Sequence, residues 1–174
     1  MVRPVSEAIW SNEVDTLYGD ALQFLYHLAL AVLVGGGLVL GSAVAPAVFK
    51  TTSSRGEAGT IFASVLQRWD GLAILCVIVV IITSVLKAGA YEVSGAPETR
   101  LVVRWVALVV MGAAVIYSSG WANSVARALR AQSPAWDDLP DSSPVRREFA
   151  ALHKSSSRAM RLGVIAGLVA LFLS

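Results

Sequence analysis

Two histidines stand out as side chains that could do chemistry, because each lies within or beside a long apolar stretch. His27 opens the segment HLALAVLVGGGLVLG, and His153 lies in REFAALHKSSSRAM. An imidazole can bind a metal ion or exchange a proton near neutral pH. It can equally be a structural group, hydrogen-bonded to a backbone carbonyl or a hydroxyl inside a helical bundle. The sequence leaves both interpretations open for each histidine.

A second group of polar side chains is expected to gather near His153, at one end of the molecule. Ionisable groups inside membrane spans are costly, so by default they indicate function. One interpretation is a structural ion pair between Asp70 and Arg158 or Arg161, and the other is an anion or proton site. Because Asp70 and the neighbouring cations influence His153 in opposite directions, we predict that His153 belongs to a functional centre. The predicted cluster is Asp70, Asn123, His153, Ser156, Arg158 and Arg161.

Motifs for several other chemistries are absent from the sequence. It contains no CxxC, no HExxH, no phosphate-binding loop and no arrangement of nucleophile, histidine and acid. Hydrolysis and nucleotide binding therefore have no support, and neither a catalytic residue nor a set of metal ligands can be named. The single cysteine, Cys76, excludes an internal disulfide and is expected to be a buried, inert thiol. A net charge of +2 does not indicate a nucleic-acid partner.

The composition is that of a membrane protein. Hydrophobic residues make up 56% of the chain and charged residues only 15%, whereas soluble domains average about 25% charged residues. Three stretches are apolar and long enough to cross about 30 Å of hydrocarbon. A fourth has only 13 uncharged residues, Leu162 to Ser174, and crosses only if Arg158 and Arg161 lie inside or at the edge of the bilayer. The four stretches cover approximately residues 21–49, 70–91, 104–126 and 150–173. We therefore predict an all-α integral membrane four-helix bundle, with residues 1–174 forming a single transmembrane domain.

The connections between the spans also carry patterns. In GEAGTIFASVLQRWD, apolar residues recur at helical spacing, which predicts a short amphipathic helix between spans 1 and 2, on the membrane surface or against the bundle. Ser142 or Ser143 is predicted to cap the last helix, with Pro144 in its first turn.

Basic residues are concentrated in the first and third connections, which lie on one side of a four-span protein. This distribution predicts that the first and third connections lie on the cytoplasmic side of the cell membrane and that both termini lie on the other side, outside the cytoplasm. Lys87, at the outer end of span 2, is expected to extend to the interface. The cytoplasmic set is Lys50, Arg55, Arg68, Arg127, Arg130, Arg146 and Arg147, and the outer set is Arg3, Lys87, Arg100 and Arg104.

Four glycines are spaced so that helices could approach closely. Gly37 and Gly41 are four residues apart in the first span, and Gly163 and Gly167 are four apart in the last. Small residues at this spacing mark helix–helix interfaces in membranes, although they could also leave room for a flat ligand or an imidazole. The first and last helices run antiparallel, so if they pack together each histidine lies near the other helix's glycines. The histidines are then about 21 Å apart along the axis, too far to share one metal ion or haem.

Several stretches together resemble a known family. HLALAVLVGGGLVLG, APAVFK, RGEAGTIFASVLQRWD and REFAALHKSSSRAM are similar to the transmembrane protein 205-like family, small four-span proteins of unknown function. The motifs are a histidine followed by glycines, a Pro-x-x-Phe that closes the first span, and a Phe-x-x-x-His-x-x-Ser that opens the last. The first stretch also resembles copper resistance protein D and the J-type protoporphyrinogen oxidases. That likeness implies haem or copper chemistry through His27 and assigns no role to His153.

Three functions are compatible with these observations. The first is a membrane transport or tolerance component, present as a homo-oligomer in the bilayer, that passes or senses a small solute or ion. The second is a membrane redox protein that binds haem or a metal through His27. The third is a scaffold or assembly factor that acts through the amphipathic helix. The polar cluster favours the first of these.

Overall fold

The fold consists of long helices joined by short connections. The computed structural model describes the backbone of residues 5–92, 95–133, 136–140 and 142–174, and their side chains except those of 5–15, 91 and 137. Arg3, which contributes to the charge distribution, lies outside the described residues. The α-helices are α1 (Val5–Val39), α2 (Ala45–Thr51), α3 (Arg55–Lys87), α4 (Thr99–Val115), α5 (Asn123–Ala131) and α6 (Pro144–Phe172).

Short π-helical segments join several of these helices into longer rods. Leu40–Val44 joins α1 to α2, and Ile116–Ala122 joins α4 to α5. Four helical stretches are consequently long and apolar enough to cross a membrane: Thr16–Thr51, Arg55–Ala90, Thr99–Ala131 and Pro144–Phe172. The described residues contain no β-strand. The prediction of an all-α membrane bundle is therefore confirmed, and the protein is a multi-pass membrane protein.

The helices pack around α1 and α6. Helix α6 packs extensively on α4 and also on α1, while the other side of α1 packs on α3; α3 and α4 contact each other little. Large apolar side chains such as Leu75, Ile78 and Val85 are exposed on the outside of α3, as expected for a surface in contact with lipid. The core contains Tyr26, Ala29, Leu30, Leu33, Ala73, Cys76, Val77, Val80, Met111 and Ala166.

Three of the four predicted packing glycines lie against a neighbouring helix. A Cβ atom added at Gly37 would lie 2.7 Å from Val164 Cγ2, and one added at Gly167 would lie 2.7 Å from Val34 Cγ2. One added at Gly163 would lie 3.4 Å from the Cβ of Ala114. These glycines allow α6 to approach α1 on one side and α4 on the other.

Gly41 differs from the other three, and its predicted packing role is wrong. A Cβ added there would meet nothing within 4 Å. Gly41 lies in the π-helical segment Leu40–Val44, which is followed by Pro46. The proline ring cannot accommodate the carbonyl four residues earlier in an α-helix, and a π-helical turn is one way to relieve that conflict. The wider turn ends the regular helical spacing that would have placed Gly41 below Gly37.

The predicted amphipathic helix is not a separate element. Its sequence forms the first half of α3, which runs without a break from Arg55 to Lys87. Ser54 caps this helix by accepting a hydrogen bond from the backbone N–H of Glu57 at 3.1 Å. No proline interrupts the passage from the amphipathic part into the uncharged part, so one helix serves both. The N-cap prediction for α6 is confirmed at Ser143, whose side chain accepts from Arg146 N.

Candidate functional site

A buried network of hydrogen bonds joins three helices at the basic end of the bundle, the end that contains α2, α5 and the start of α6. Asp70 of α3 accepts from Asn123 Nδ2 at 2.8 Å and from Arg127 Nη1 at 2.6 Å. Asn123 Oδ1 accepts in turn from Ser156 Oγ of α6 at 2.6 Å. Asp70, Asn123 and Ser156 are buried. Each oxygen of the carboxylate thus has a partner, which a buried charge requires.

The network contains three of the six predicted cluster residues, together with an arginine that was not predicted. The expected ion pair of Asp70 with Arg158 or Arg161 is wrong, because Arg127 occupies that position. Arg158 and Arg161 project from α6 as exposed side chains. His153 is also exposed and stacks on Phe149, with ring centroids 6.3 Å apart.

A cavity of about 510 Å³ lies beside this network, and we call it the basic cavity. It is bounded by the first half of α3, by α5, by the short 3-10 helix Trp136–Asp138 and by the start of α6. Guanidinium and aromatic groups dominate its lining, and none of the described side chains that line it is a carboxylate. Its lining includes Arg55, Arg127, Arg130, Arg146, Trp136 and His153.

Arg130 of the basic cavity is held in place by neutral groups. Its Nη2 donates to Gly56 O at 3.0 Å and to Thr60 Oγ1 at 3.1 Å. Arg146 Nη2 donates to the carbonyl of Trp136 at 3.0 Å. Both guanidinium groups lie over the Trp136 ring, at 5.9 and 5.7 Å from its centroid. Neutral partners fix Arg130 without cancelling its charge, so the cavity is suited to an anion.

A second cavity, of about 550 Å³, adjoins the first, and we call it the lateral groove. It lies between the α1–α2 rod and α6, and its lining includes Gly37, Gly41, Met160 and Ile165. The basic cavity and the lateral groove share Phe62, Leu66, Asn123 and His153 in their linings. The first and last helices are antiparallel, as expected, but Gly37 packs on Val164, about 16 Å along α6 from His153, so the prediction that His153 lies near Gly37 is wrong.

The two remaining residues of the predicted cluster, Arg158 and Arg161, differ in whether they line a cavity. Arg161 lines the lateral groove, as does Ser156. Arg158 lines neither the basic cavity nor the groove. Gly41, with open space around it, fits the alternative interpretation that a glycine leaves room for a ligand.

His27 lies at the opposite end of the bundle. Its Nδ1 is 2.9 Å from the carbonyl oxygen of Gln23, and its Nε2 is 3.0 Å from Ser174 Oγ. These contacts fit the structural interpretation of a histidine bonded to a carbonyl and a hydroxyl. Within the described side chains, no group of three or more His, Cys, Asp and Glu residues could hold a metal ion. Haem ligation by His27 stays a prediction that an absorption spectrum of the purified protein would test.

A model of one family matches a large part of the sequence. The family is described as a domain of unknown function (DUF4149), and the match covers residues 28–134, more than half of the chain. The chain belongs to the DUF4149 family. The matched region includes Asp70, Asn123 and Arg127, so the ion pair of the network lies within it. No curated protein and no solved structure is similar to the chain. The likenesses to the transmembrane protein 205-like family, copper resistance protein D and protoporphyrinogen oxidases stay predictions.

This member of the DUF4149 family has a second buried ionic cluster, at the end that contains His27. Glu92 pairs with Lys87, 3.4 Å away, and with Arg104. Lys87 Nζ lies 4.6 Å from the centroid of the buried Tyr26 ring. The expectation that Lys87 extends to the interface is therefore wrong, because a carboxylate and an aromatic ring hold it inside the bundle.

Sequence reasoning missed Arg127, Glu92 and Arg104, and only the first left a usable signal. Arg127 follows Asn123 by four residues, so the two side chains share a face of any α-helix that contains both. Once Asn123 was expected to meet Asp70, that spacing could have included Arg127. Pairing of Glu92 with Arg104 depends on the path of the connection between α3 and α4, which helical periodicity does not determine.

Proposed function

We propose that this protein is a membrane transport or tolerance component that binds a small anion in the basic cavity. The observation that carries the proposal is the cavity lining, with Arg55, Arg127, Arg130 and Arg146 and no described Asp or Glu side chain. A guanidinium group can give two parallel hydrogen bonds to a carboxylate, sulfonate or phosphate. Partial exclusion of water strengthens that attraction.

The other groups of the cavity support the same proposal. Trp136 and Phe149, whose ring centroids are 5.0 Å apart, offer aromatic surface to a planar or apolar part of the solute. Asp70 does not line the cavity, and its role is to position Arg127 at the wall. His153 lines both the basic cavity and the lateral groove, so a solute that moves from one to the other passes it.

Binding of radiolabelled benzenesulfonate to the purified full-length protein in an uncharged detergent tests the proposal. This probe is small, aromatic and permanently anionic. Arg130→Gln should weaken binding about tenfold or more, because a hydrogen bond to a charged group contributes about 1.5–3 kcal/mol. His153→Gln should weaken it about fivefold, as expected for a neutral hydrogen bond of about 1 kcal/mol.

Two variants at the opposite end serve as controls. Arg100 is an exposed arginine whose Nη2 is 3.4 Å from the carbonyl of Phe172, so Arg100→Gln removes a comparable contact far from the cavity. His27→Gln is the control for His153→Gln. Both should bind the probe as the wild type does. Unchanged binding by a correctly folded Arg130→Gln variant contradicts the proposal, and loss of binding in His27→Gln alone favours the cofactor hypothesis instead.

We infer further that the basic end faces the cytoplasm and that both termini lie outside the cell. The support is the excess of lysine and arginine in the first and third connections. In a Cys76→Ala background, a cysteine at Ser133 should be protected from a membrane-impermeant reagent in intact cells, whereas one at Ser6 should react. The reverse pattern would overturn this orientation.

We also propose that the protein forms a homo-oligomer through the face between α3 and α4. An apolar groove of about 560 Å³ lies there, with small residues including Ala88, Gly112 and Ala113 in its lining. Small residues allow another helix to approach closely. Ala113 is exposed in this groove, so Ala113→Leu should shift the protein from oligomer to monomer in light scattering, and an unchanged mass would contradict this assignment.

A further inference from the structure

We propose that the ligand is a single-chain amphiphile, with its anionic head in the basic cavity and its hydrocarbon tail in the lateral groove. This inference rests on the proposed anion-binding function and adds the chemical class of the ligand. It follows from the adjacency of two spaces that differ in their chemistry.

The two spaces adjoin each other, because they share part of their lining. Phe62 and Leu66 of α3, Asn123 of α5 and His153 of α6 belong to the walls of both. A molecule at this junction therefore contacts the basic cavity on one side and the lateral groove on the other. A compact anion would occupy only the first space and leave the second empty.

The head of the ligand is determined by the basic cavity. Arg130 is fixed by a backbone carbonyl, a hydroxyl and the Trp136 ring, and Arg146 donates to a backbone carbonyl and lies over the same ring. An oxyanion can accept hydrogen bonds from guanidinium groups held in this way. The chemistry shared by the candidates is thus a carboxylate, sulfonate or phosphate.

The tail of the ligand is determined by the lateral groove. Its wall on α6 runs from His153 to Ile165, about 18 Å at 1.5 Å per residue. One leaflet of the hydrocarbon core is about 15 Å thick, half of the whole. On the opposite wall, Gly41 has no neighbour within 4 Å of its Cβ position. The groove is a slot between two helical rods with a volume of about 550 Å³, which suits one hydrocarbon chain.

The groove also has a route to the bilayer. Leu38 and Ile165 line it and are exposed on the outside of the bundle. A tail already dissolved in lipid can enter sideways between α1 and α6, while its head stays at the basic end. Lateral entry separates this ligand from a water-soluble anion, which reaches the basic cavity from solution.

Displacement of radiolabelled benzenesulfonate from the full-length protein in uncharged detergent tests the inference. The competitors are dodecanesulfonate, ethanesulfonate and dodecanol. Dodecanesulfonate should displace the probe at a concentration about tenfold lower than ethanesulfonate does, a gain that burial of about two methylene groups would supply. Dodecanol, which lacks the anionic head, should not displace it.

Two glycine variants locate the tail. Gly41→Leu projects a side chain into the lateral groove and should abolish the advantage of dodecanesulfonate while leaving ethanesulfonate unchanged. Gly35 also has open space around its Cβ position and lines neither cavity, so Gly35→Leu is the matched control and should behave as the wild type.

Each contrary result has its own meaning. Equal potency of the two sulfonates, or a long-chain advantage that survives in Gly41→Leu, overturns the inference while the proposed anion site stands. Displacement by dodecanol also overturns it, since that result indicates apolar binding without a role for charge. Displacement by a two-chain anionic phospholipid at the same concentration as dodecanesulfonate overturns the single-chain assignment. If benzenesulfonate itself does not bind, the proposed function fails as well.

Discussion

Replacing Arg127 by methionine should destabilise the bundle, because it leaves Asp70 as a buried carboxylate without its cation. The Asp70 side chain is 6% exposed and that of Arg127 is 29% exposed. Removing one member of a fully buried ion pair costs about 3–5 kcal/mol. Arg127 reaches the edge of the bundle, so water can partly replace it. We therefore expect the free energy of unfolding to fall by about 2–3 kcal/mol.

The assay is unfolding in mixed micelles with increasing sodium dodecyl sulfate, followed by circular dichroism. A double variant, Asp70→Asn with Arg127→Met, isolates the interaction because it also removes the stranded charge. Asparagine at position 70 can still accept from Asn123 Nδ2, so the double variant should be more stable than Arg127→Met alone. We expect the coupling energy between Asp70 and Arg127, obtained by also measuring Asp70→Asn alone, to be about 1–2 kcal/mol. Arg158→Met, at an exposed arginine of the same end, should change stability by less than about 0.5 kcal/mol.

Two results would refute this reasoning. One is an Arg127→Met variant as stable as the wild type, which would mean that the Asp70–Arg127 pair contributes nothing. The other is a double variant no more stable than the single one, which would mean that the loss came from packing of the arginine stem and not from charge.

Three further variants test the packing, the second ionic cluster and a helix cap by the same unfolding assay. Gly167→Leu should lower the free energy of unfolding by about 1–3 kcal/mol through overpacking, whereas Gly41→Leu should unfold as the wild type does. Equal losses would contradict the close packing at Gly167 and the open space at Gly41. Glu92→Gln should lose about 3–5 kcal/mol by stranding two buried cations, and adding Arg104→Gln should recover part of it; no recovery would argue against the cluster. Ser143→Ala should cost about 1 kcal/mol at the start of α6, and no change would mean that this cap is energetically silent.

The four spans could be predicted from the sequence because their determinant is local. Uncharged runs of 29, 16 and 22 residues mark the first three spans, and a segment of about 20 mostly apolar residues has few alternatives to crossing the membrane as a helix. The fourth span has only 13 uncharged residues, Leu162 to Ser174, and was expected to include Arg158 and Arg161 at its start. The boundary between the amphipathic part of α3 and its span could not be found in the same way. The apolar periodicity ends near Asp70, but nothing in the sequence ends the helix there, and α3 continues through it.

The candidate site could be predicted only in part, because side-chain direction depends on regular helical rotation. Asp70, Asn123 and Ser156 were expected at one end and meet there. The π-helical segment Ile116–Ala122 precedes α5, and a π-helical turn changes the rotation of every residue that follows it. The face that α5 presents to Asp70 was therefore not deducible by counting about 100° per residue along α4, although the four-residue spacing within α5 places Arg127 beside Asn123. The segment Leu40–Val44 displaced Gly41 for the same reason.

Photoaffinity labelling tests the central claim, that an anion binds in the basic cavity, most directly. The purified protein would be illuminated with 4-azidobenzenesulfonate, and the labelled residues would be identified by mass spectrometry. We predict labels on Phe62, Trp136 and Phe149, which line the cavity. These labels should disappear in the presence of excess benzenesulfonate. Labels confined to the end that contains His27, or labels on the cavity residues that excess benzenesulfonate does not reduce, would contradict it.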